Sequence, residues 1–489
     1  MMRSGQQTTQ RAARFPGYVK IVSVLLVAEF VGTFESAMIF IALPNLMHDF
    51  NVDAAAAGWA VTAFLLVAAA SAAICGRLGD MYGRKKLLVI VLSISVVGSI
   101  ISFSFGTLGG VILGRALQGA AGATLPLCLG LARQELPKVK VPNVIALIAG
   151  SSFLAGAGGN LIAGVLLQVG NWKALFIVSG IMGIIAALLV AILLKPSPTN
   201  RTGARGIDYI GGLLFAPAVG LVLYGLTNAS AWGLLDGKTL AFVLGGLAVA
   251  AIWCWWELRV ENPMINLRLL QTNKMALTQL CTAVLGIGPL VAVGILTPIV
   301  LLSPATDPAG LGVSPAMGGV IIFSAATLSF IGSPFSGKVA AAVGARRVLL
   351  IGIVISFAGY SAMFWADNNL LTFIINTYVI SIGVMFSYTA FPNLVAESVP
   401  LENTSEGMGI NTVTRTIFMA VGTTVLTMAL ASSTVEGTLV STESAFNTAY
   451  IIVAATCVVA FLLALRIKDS PRTDEAHPQD SAQLSVPGN

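Results

Sequence analysis

The chain has 489 residues, 56% of them hydrophobic and only 10% charged, where an ordinary soluble protein carries about 25% charged residues. With 51 glycines and a mean hydropathy of +0.89, that composition argues against a soluble enzyme, a secreted disulfide scaffold and a nucleic-acid binder. It fits a protein that crosses a membrane many times, and the net charge of +6 then follows from topology.

A membrane-spanning helix needs about 20 apolar residues. Fourteen stretches qualify: 20–43, 54–75, 87–105, 109–134, 143–169, 174–194, 209–228, 239–257, 275–303, 316–336, 347–366, 370–394, 407–431 and 446–467. The first is too long for a signal-peptide core and lacks a small-residue cleavage site, so it reads as a retained helix. The tails and loops are too short for a folded soluble domain. Cys75, Cys128, Cys254, Cys281 and Cys457 all fall inside apolar stretches, with no disulfide or metal-ligand spacing, and the two histidines, His48 and His477, lie outside the spans.

Lysine and arginine set the expected orientation. With fourteen spans, twenty-three of the 27 basic residues fall on one face: the N-tail, the even-numbered loops (Arg77, Arg84, Lys85, Lys86; Arg133, Lys138, Lys140; Lys195, Arg201, Arg205; Arg259, Arg268, Lys274; Lys338, Arg346, Arg347) and the C-tail. Two, Lys173 and Lys238, fall on the other, and Arg115 and Arg415 lie within spans. The positive-inside rule therefore puts both termini in the cytoplasm and the chain in the cell membrane as a multi-pass protein.

An internal repeat organises the spans. The loop after span 2 runs Gly76, Asp80, Gly83, Arg84, Lys85, Lys86; the loop after span 10 runs Gly337, Ala341, Gly344, Ala345, Arg346, Arg347, offset by 261 residues. The match implies duplication of a six-helix unit with spans 7 and 8 inserted between the copies, as in many secondary transporters. The expected organisation is a cytoplasmic N-tail (1–19), an N-terminal six-helix bundle (20–194), a linker with two inserted helices (195–274), a C-terminal six-helix bundle (275–467) and a cytoplasmic C-tail (468–489).

These motifs resemble a known family. Gly76-x-Leu78-x-Asp80-x-x-Gly83-Arg84-Lys85-Lys86 is similar to the signature loop of the major facilitator superfamily, and Arg115-x-x-Gln118-Gly119-x-x-Gly122 to its fourth-helix motif. The run from Glu35 to Ala42-Leu43-Pro44 resembles the first-helix motif of the fourteen-helix drug:proton antiporter branch, and Asp208-Tyr-Ile-Gly211 with Glu257-x-Arg259-x-x-x-Pro263 resembles that branch's landmarks around the inserted helices. The resemblance implies an all-α membrane protein of the major facilitator fold, two six-helix bundles plus two inserted helices. It also implies that Asp80, Arg84 and Lys85 latch a cytoplasmic gate. One departure stands out. Exporters of the family carry a glycine-proline and then a double glycine in helix 5, whereas this chain has Gly159-Asn160 and Ala163-Gly164.

A charge at the centre of a spanning helix costs roughly 2.5–3.5 kcal/mol, so such residues point to function. At 1.5 Å per residue, Glu35, Arg115 and Asn160 share one layer, about 9–15 Å below the outer surface. Glu35 is expected to bind the proton and Arg115 to tune it; a fixed ion pair joining spans 1 and 4 is the structural alternative. Glu29, about 240° round the same helix, is either a second protonation site, a counter-charge for a cationic substrate, or a satisfied pore-side acid. Phe34, Trp59, Phe64, Gln118 and Tyr388 are candidate cavity residues, Trp253, Trp255 and Trp256 read as an interfacial belt, and Arg415 has no assigned role.

Gly233-Leu-Leu-Asp-Gly237-Lys238-Thr239 mimics a nucleotide-binding loop but has three residues between its glycines where four are required. Without ATP, export must draw on an ion gradient. Hundredfold accumulation costs about 2.7 kcal/mol, and one charge crossing 100 mV releases about 2.3 kcal/mol, so one proton nearly suffices. The expected function is a proton-coupled antiporter that exports drugs, dyes, quaternary ammonium compounds or an antibiotic by alternating access. The alternatives are a lipid or metabolite transporter of the same fold and a non-transporting sensor. No enzyme activity, cofactor, metal or nucleic acid is expected. The partners are a small-molecule substrate, protons and membrane lipids, and the working unit is a monomer.

Overall fold

The computed structural model describes residues 15–52, 54–169, 171–197, 208–233, 235–261, 263, 265–364, 369–434 and 441–468. Most of the two tails, with Arg3, Arg11, Arg14, Arg472 and His477, and the loop residues Arg201 and Arg205 lie outside the described residues.

Among the described residues the chain forms sixteen α-helices and no strand. They are α1 (Phe15–Phe50), α2 (Ala54–Tyr82), α3 (Arg84–Ser104), α4 (Leu108–Gln118), α5 (Thr124–Glu135), α6 (Val141–Val169), α7 (Lys173–Leu193), α8 (Tyr209–Trp232), α9 (Gly237–Arg259), α10 (Asn273–Ile287), α11 (Pro289–Leu302), α12 (Pro315–Val343), α13 (Ala345–Met363), α14 (Leu370–Ser398), α15 (Thr404–Ala431) and α16 (Glu443–Leu465). In hydrocarbon a helix is the open-ended way to satisfy every backbone N–H and C=O within one segment, which is why each apolar run folds as one. Thirteen of the resulting units are long and apolar enough to cross a membrane; α8 adds a shorter apolar stretch, Ile210–Leu226, where the seventh span is expected.

Two spans are each built from a pair of helices. A 3₁₀ segment, Gly119–Ala123, joins α4 to α5, and there the chain lies tight against α2: a methyl group on Gly122 would meet the Ala68 backbone at 2.5 Å. The second break falls at Gly288-Pro289, between α10 and α11, where the proline has no N–H to continue the ladder.

Helices α1–α7 form one bundle and α10–α16 the other; the buried apolar core of the first runs on across the seam to Val395, Met408 and Val413 and under the inserted pair to Phe215 and Trp253, while the second bundle has a further core of its own. The bundles meet along two seams, α2 against α15 and α6 against α12. The inserted pair α8–α9 lies over the first seam, with α8 touching both α2 and α15: Tyr224 stacks on Trp59 with ring centroids 5.0 Å apart, and Thr424 donates to the Leu226 carbonyl at 3.1 Å. The landmarks around this pair act locally. Asp208 caps α8 through the Gly211 N–H and accepts the Trp256 indole N–H. The belt reading of the tryptophans is corrected accordingly, since Trp253 is buried on Phe215 and Trp255 alone is broadly exposed.

Candidate functional site

Glu29 and Glu35 sit on opposite faces of α1, and both are buried, at 2% and 0% exposure. Glu35 Oε1 accepts hydrogen bonds from Ser95 on α3 (2.6 Å), Ser179 on α7 (2.6 Å) and Gln118 on α4 (3.4 Å). Its other oxygen, Oε2, has no hydrogen-bond partner among the described residues.

The ion pair with Arg115, the structural alternative, does not form among the described residues. The guanidinium instead donates to the backbone carbonyls of Glu35 (2.9 Å) and Ala60 (3.2 Å) and to Gln118 Oε1 (2.9 Å), and lies 4.2 Å from the Phe64 ring centroid. Gln118 stands between the two charges. Its carbonyl takes an N–H of Arg115 while its amide serves Glu35, Ser99 and Ser179. An amide can do this because it offers acceptor and donor at once.

Asn160 shares no contact with this group: it is exposed and no hydrogen bond ties it to Glu35 or Arg115, while its neighbour Gly159 packs α6 onto Phe34 and Ala37 of α1, and Gly164 faces open space. Of the cavity candidates, Phe34, Phe64 and Gln118 are packed within the first bundle at 0%, 3% and 0% exposure. Trp59 is turned toward the inserted pair.

Glu29 is held differently. Oε1 accepts from Thr33 (2.9 Å) and Ser152 (3.0 Å), and Oε2 from Thr124 (3.2 Å). Opposite it, at mid-seam, the second bundle presents Arg415 on α15, whose guanidinium lies 4.6 Å from the Tyr388 ring; Tyr388 in turn packs edge-on against Phe153 of α6 at 5.0 Å. Tyr388 is one of the cavity candidates, and Arg415, which has no role assigned from its position in the chain, is its neighbour here.

At the end of the molecule that carries the basic loops, the bundles are bolted together. Asp80 accepts the backbone N–H groups of Ser405 (3.3 Å) and Glu406 (2.9 Å), in the first turn of α15, and the Nε–H of Arg84 (2.7 Å). The α15 N-terminus has no side-chain cap of its own, so Asp80 caps it from the other bundle. Arg84 extends to the Gly130 and Leu401 carbonyls, Arg133 to Val399, Pro400 and Thr404, and Arg77 pairs with Glu406 at 3.0 Å. Arg133 and Glu406 were missed as gate residues because their partners are 271 and 329 positions away in sequence. Lys85 is not part of this bolt, since its ammonium donates to the Leu194 carbonyl at the end of α7. Among the described residues, every hydrogen bond between the two bundles lies at this basic end.

Two bundles bolted at one end, with broken helices and buried acids inside them, are the anatomy of an alternating-access carrier. The Major Facilitator Superfamily family model matches residues 25–292 and 280–487. The chain belongs to this superfamily. Among similar proteins, the Tetracenomycin C resistance and export protein of Streptomyces glaucescens is 26% identical over 415 residues, covering 84% of this chain and 74% of the relative. The riboflavin transporter RibZ of Clostridioides difficile (strain 630) is 25% identical over 457 residues, 91% of this chain and 96% of the relative. A solved structure of the proton:xylose symporter XylE shares the fold, with a TM-score of 0.66 at 12% identity over 92% of this chain and 96% of that one. The protein is thus a multi-pass Major Facilitator Superfamily transporter.

Proposed function

We propose that this transporter is a proton-coupled antiporter exporting small amphipathic compounds across the cytoplasmic membrane, with its basic end and both termini in the cytoplasm. The observation that carries the reading is the Glu35 carboxylate. It is wholly buried and spared a direct ion pair, with one oxygen held by three donors and the other facing none. An acid locked to a guanidinium stays ionised. One that touches only neutral donors has an oxygen free to take a proton, with Arg115 a residue's length away through Gln118 to bias the exchange. The bolted basic end supports an outward-facing state in this reading, with Asp80, Arg84, Arg133 and Arg77 as the breakable latch.

Everted membrane vesicles test the coupling. Acidifying the lumen is expected to drive dye uptake, and Glu35→Gln is expected to abolish that drive while leaving dye binding in place. Unchanged uptake in the variant, or uptake indifferent to the gradient, overturns the reading.

A second reading, a metabolite transporter of the same fold, is favoured by the comparable similarity to a riboflavin transporter and by Asn160 where exporters carry proline. The same vesicles separate the two when loaded with radiolabelled flavins or nucleosides in place of dye.

A further inference from the structure

Arg415 is buried to 9% exposure in a segment where charge is costly, yet its guanidinium makes no hydrogen bond to any described residue. The acid opposite, Glu29, lies within coulombic reach, but its two oxygens already serve Thr33, Ser152 and Thr124, and no ion pair joins the two. Nor are the guanidinium nitrogens sealed by packing, as Arg115 Nη2 is. Buried polar groups in proteins are nearly always hydrogen-bonded, and a guanidinium offers five donors in a planar fork that matches a carboxylate. Around this fork stand Tyr388, beneath the guanidinium, and Phe153, edge-on to Tyr388 from the other bundle.

We infer that Arg415, Tyr388 and Phe153 form a subsite for an aromatic carboxylate, the anionic group held by the Arg415 fork and the planar body by the two rings. The site spans both bundles, with Phe153 from α6 and Tyr388 and Arg415 from α14 and α15, so a ligand there touches both moving parts. Glu29 opposes the anion across the seam. A substrate with a cationic group at the far end of the same body therefore satisfies both charges, which makes a zwitterion the best fit. This deepens the export reading by naming the substrate class, but the subsite concerns binding alone.

The test is a matched pair of dyes, a rhodamine carboxylate and its methyl ester, titrated by fluorescence polarisation against purified protein in detergent micelles. Wild type is expected to bind the carboxylate at least tenfold more tightly than the ester. Arg415→Gln is expected to bring the carboxylate down to the level of the ester without changing ester affinity, Arg415→Lys to keep part of the preference, and Glu29→Gln to weaken both dyes, because each carries the xanthylium cation that Glu29 faces. Equal wild-type affinities, no binding of either dye at millimolar concentration, or a preference that survives Arg415→Gln each overturn the inference. If Arg415→Gln fails to fold, as lost ester binding would reveal, the wild-type pair still decides. A missing proton effect in vesicles alongside a tenfold dye preference would sink the coupling and leave the subsite standing.

Discussion

The two copies of the internal repeat have kept their geometry and divided their chemistry. Gly76 and its counterpart Gly337 both bring the bundles together: a methyl group on the first would meet the Ser405 carbonyl oxygen at 2.5 Å, and on the second the Asn143 Cα at 2.4 Å. Gly83 and Gly344 both turn at positive φ, 100° and 93°, where a side chain is strained. Lys85 and Arg346 both reach carbonyls at the end of the last helix of their own bundle, Leu194 in the first and Ala464 and Leu465 in the second. What differs is the pair that crosses. Asp80 grips the first turn of α15 and Arg84 the Leu401 carbonyl just before it, whereas the second copy has Ala341 and Ala345, and the α6–α12 seam closes through packing, with the Asn393 amide of neighbouring α14 on the Pro142 carbonyl of α6. One seam of the gate is thus electrostatic and the other steric, so charge can release the first without disturbing the second.

The largest effect expected from breaking this asymmetry is Asp80→Ala. It leaves Arg84, at 4% exposure, buried without its carboxylate, and removing one partner of a buried pair costs about 3–5 kcal/mol. Spin labels on the basic ends of α2 and α14 should then report the latch open in most molecules. Turning the first copy into the second, with Asp80→Ala and Arg84→Ala together, should be milder than Asp80→Ala alone, because no orphan charge remains. A double variant as open as the sum of the two single ones would refute the electrostatic account of this seam.

The steric half of the comparison predicts symmetry. Gly76→Ala and Gly337→Ala place a methyl group against backbone that cannot move aside cheaply, and overpacking of this kind costs roughly 1–3 kcal/mol. The same spin labels should show both substitutions loosening the basic end by similar amounts, in contrast to the one-sided effect of the acid. If only Gly76→Ala acts, the α6–α12 seam contributes nothing to closure.

What could be read in advance follows the range of the interactions. The spans, the repeat and the buried acids were legible because burial in lipid imposes long apolar runs and makes each internal charge conspicuous. Glu35, Arg115 and Asn160 were placed in one layer by counting rise per residue, which fixes depth but only loosely fixes azimuth; Asn160 consequently faces away. Gln118 carries no charge, so nothing in its chemistry announced that it separates Glu35 from Arg115. Glu406 and Arg133 became gate residues only when α15 docked on the other bundle, and Arg415 gained meaning only from the ring and the acid that face it.

The smallest effect concerns the contact that both copies retain. Lys85 and Arg346 each place a cation on the last carbonyls of a helix, α7 and α16 respectively, where the macrodipole favours positive charge by about 0.3–1 kcal/mol. Lys85→Ala and Arg346→Ala should each lower the thermal midpoint of the purified protein by a degree or two, and together by the sum, since the two sites lie in different bundles and share no partner. Neither should change the spin-label distances across the basic end, because neither side chain crosses a seam. A change in those distances with Lys85→Ala alone would return Lys85 to the latch and make the first copy's cation, as well as its acid, part of what was lost in the second.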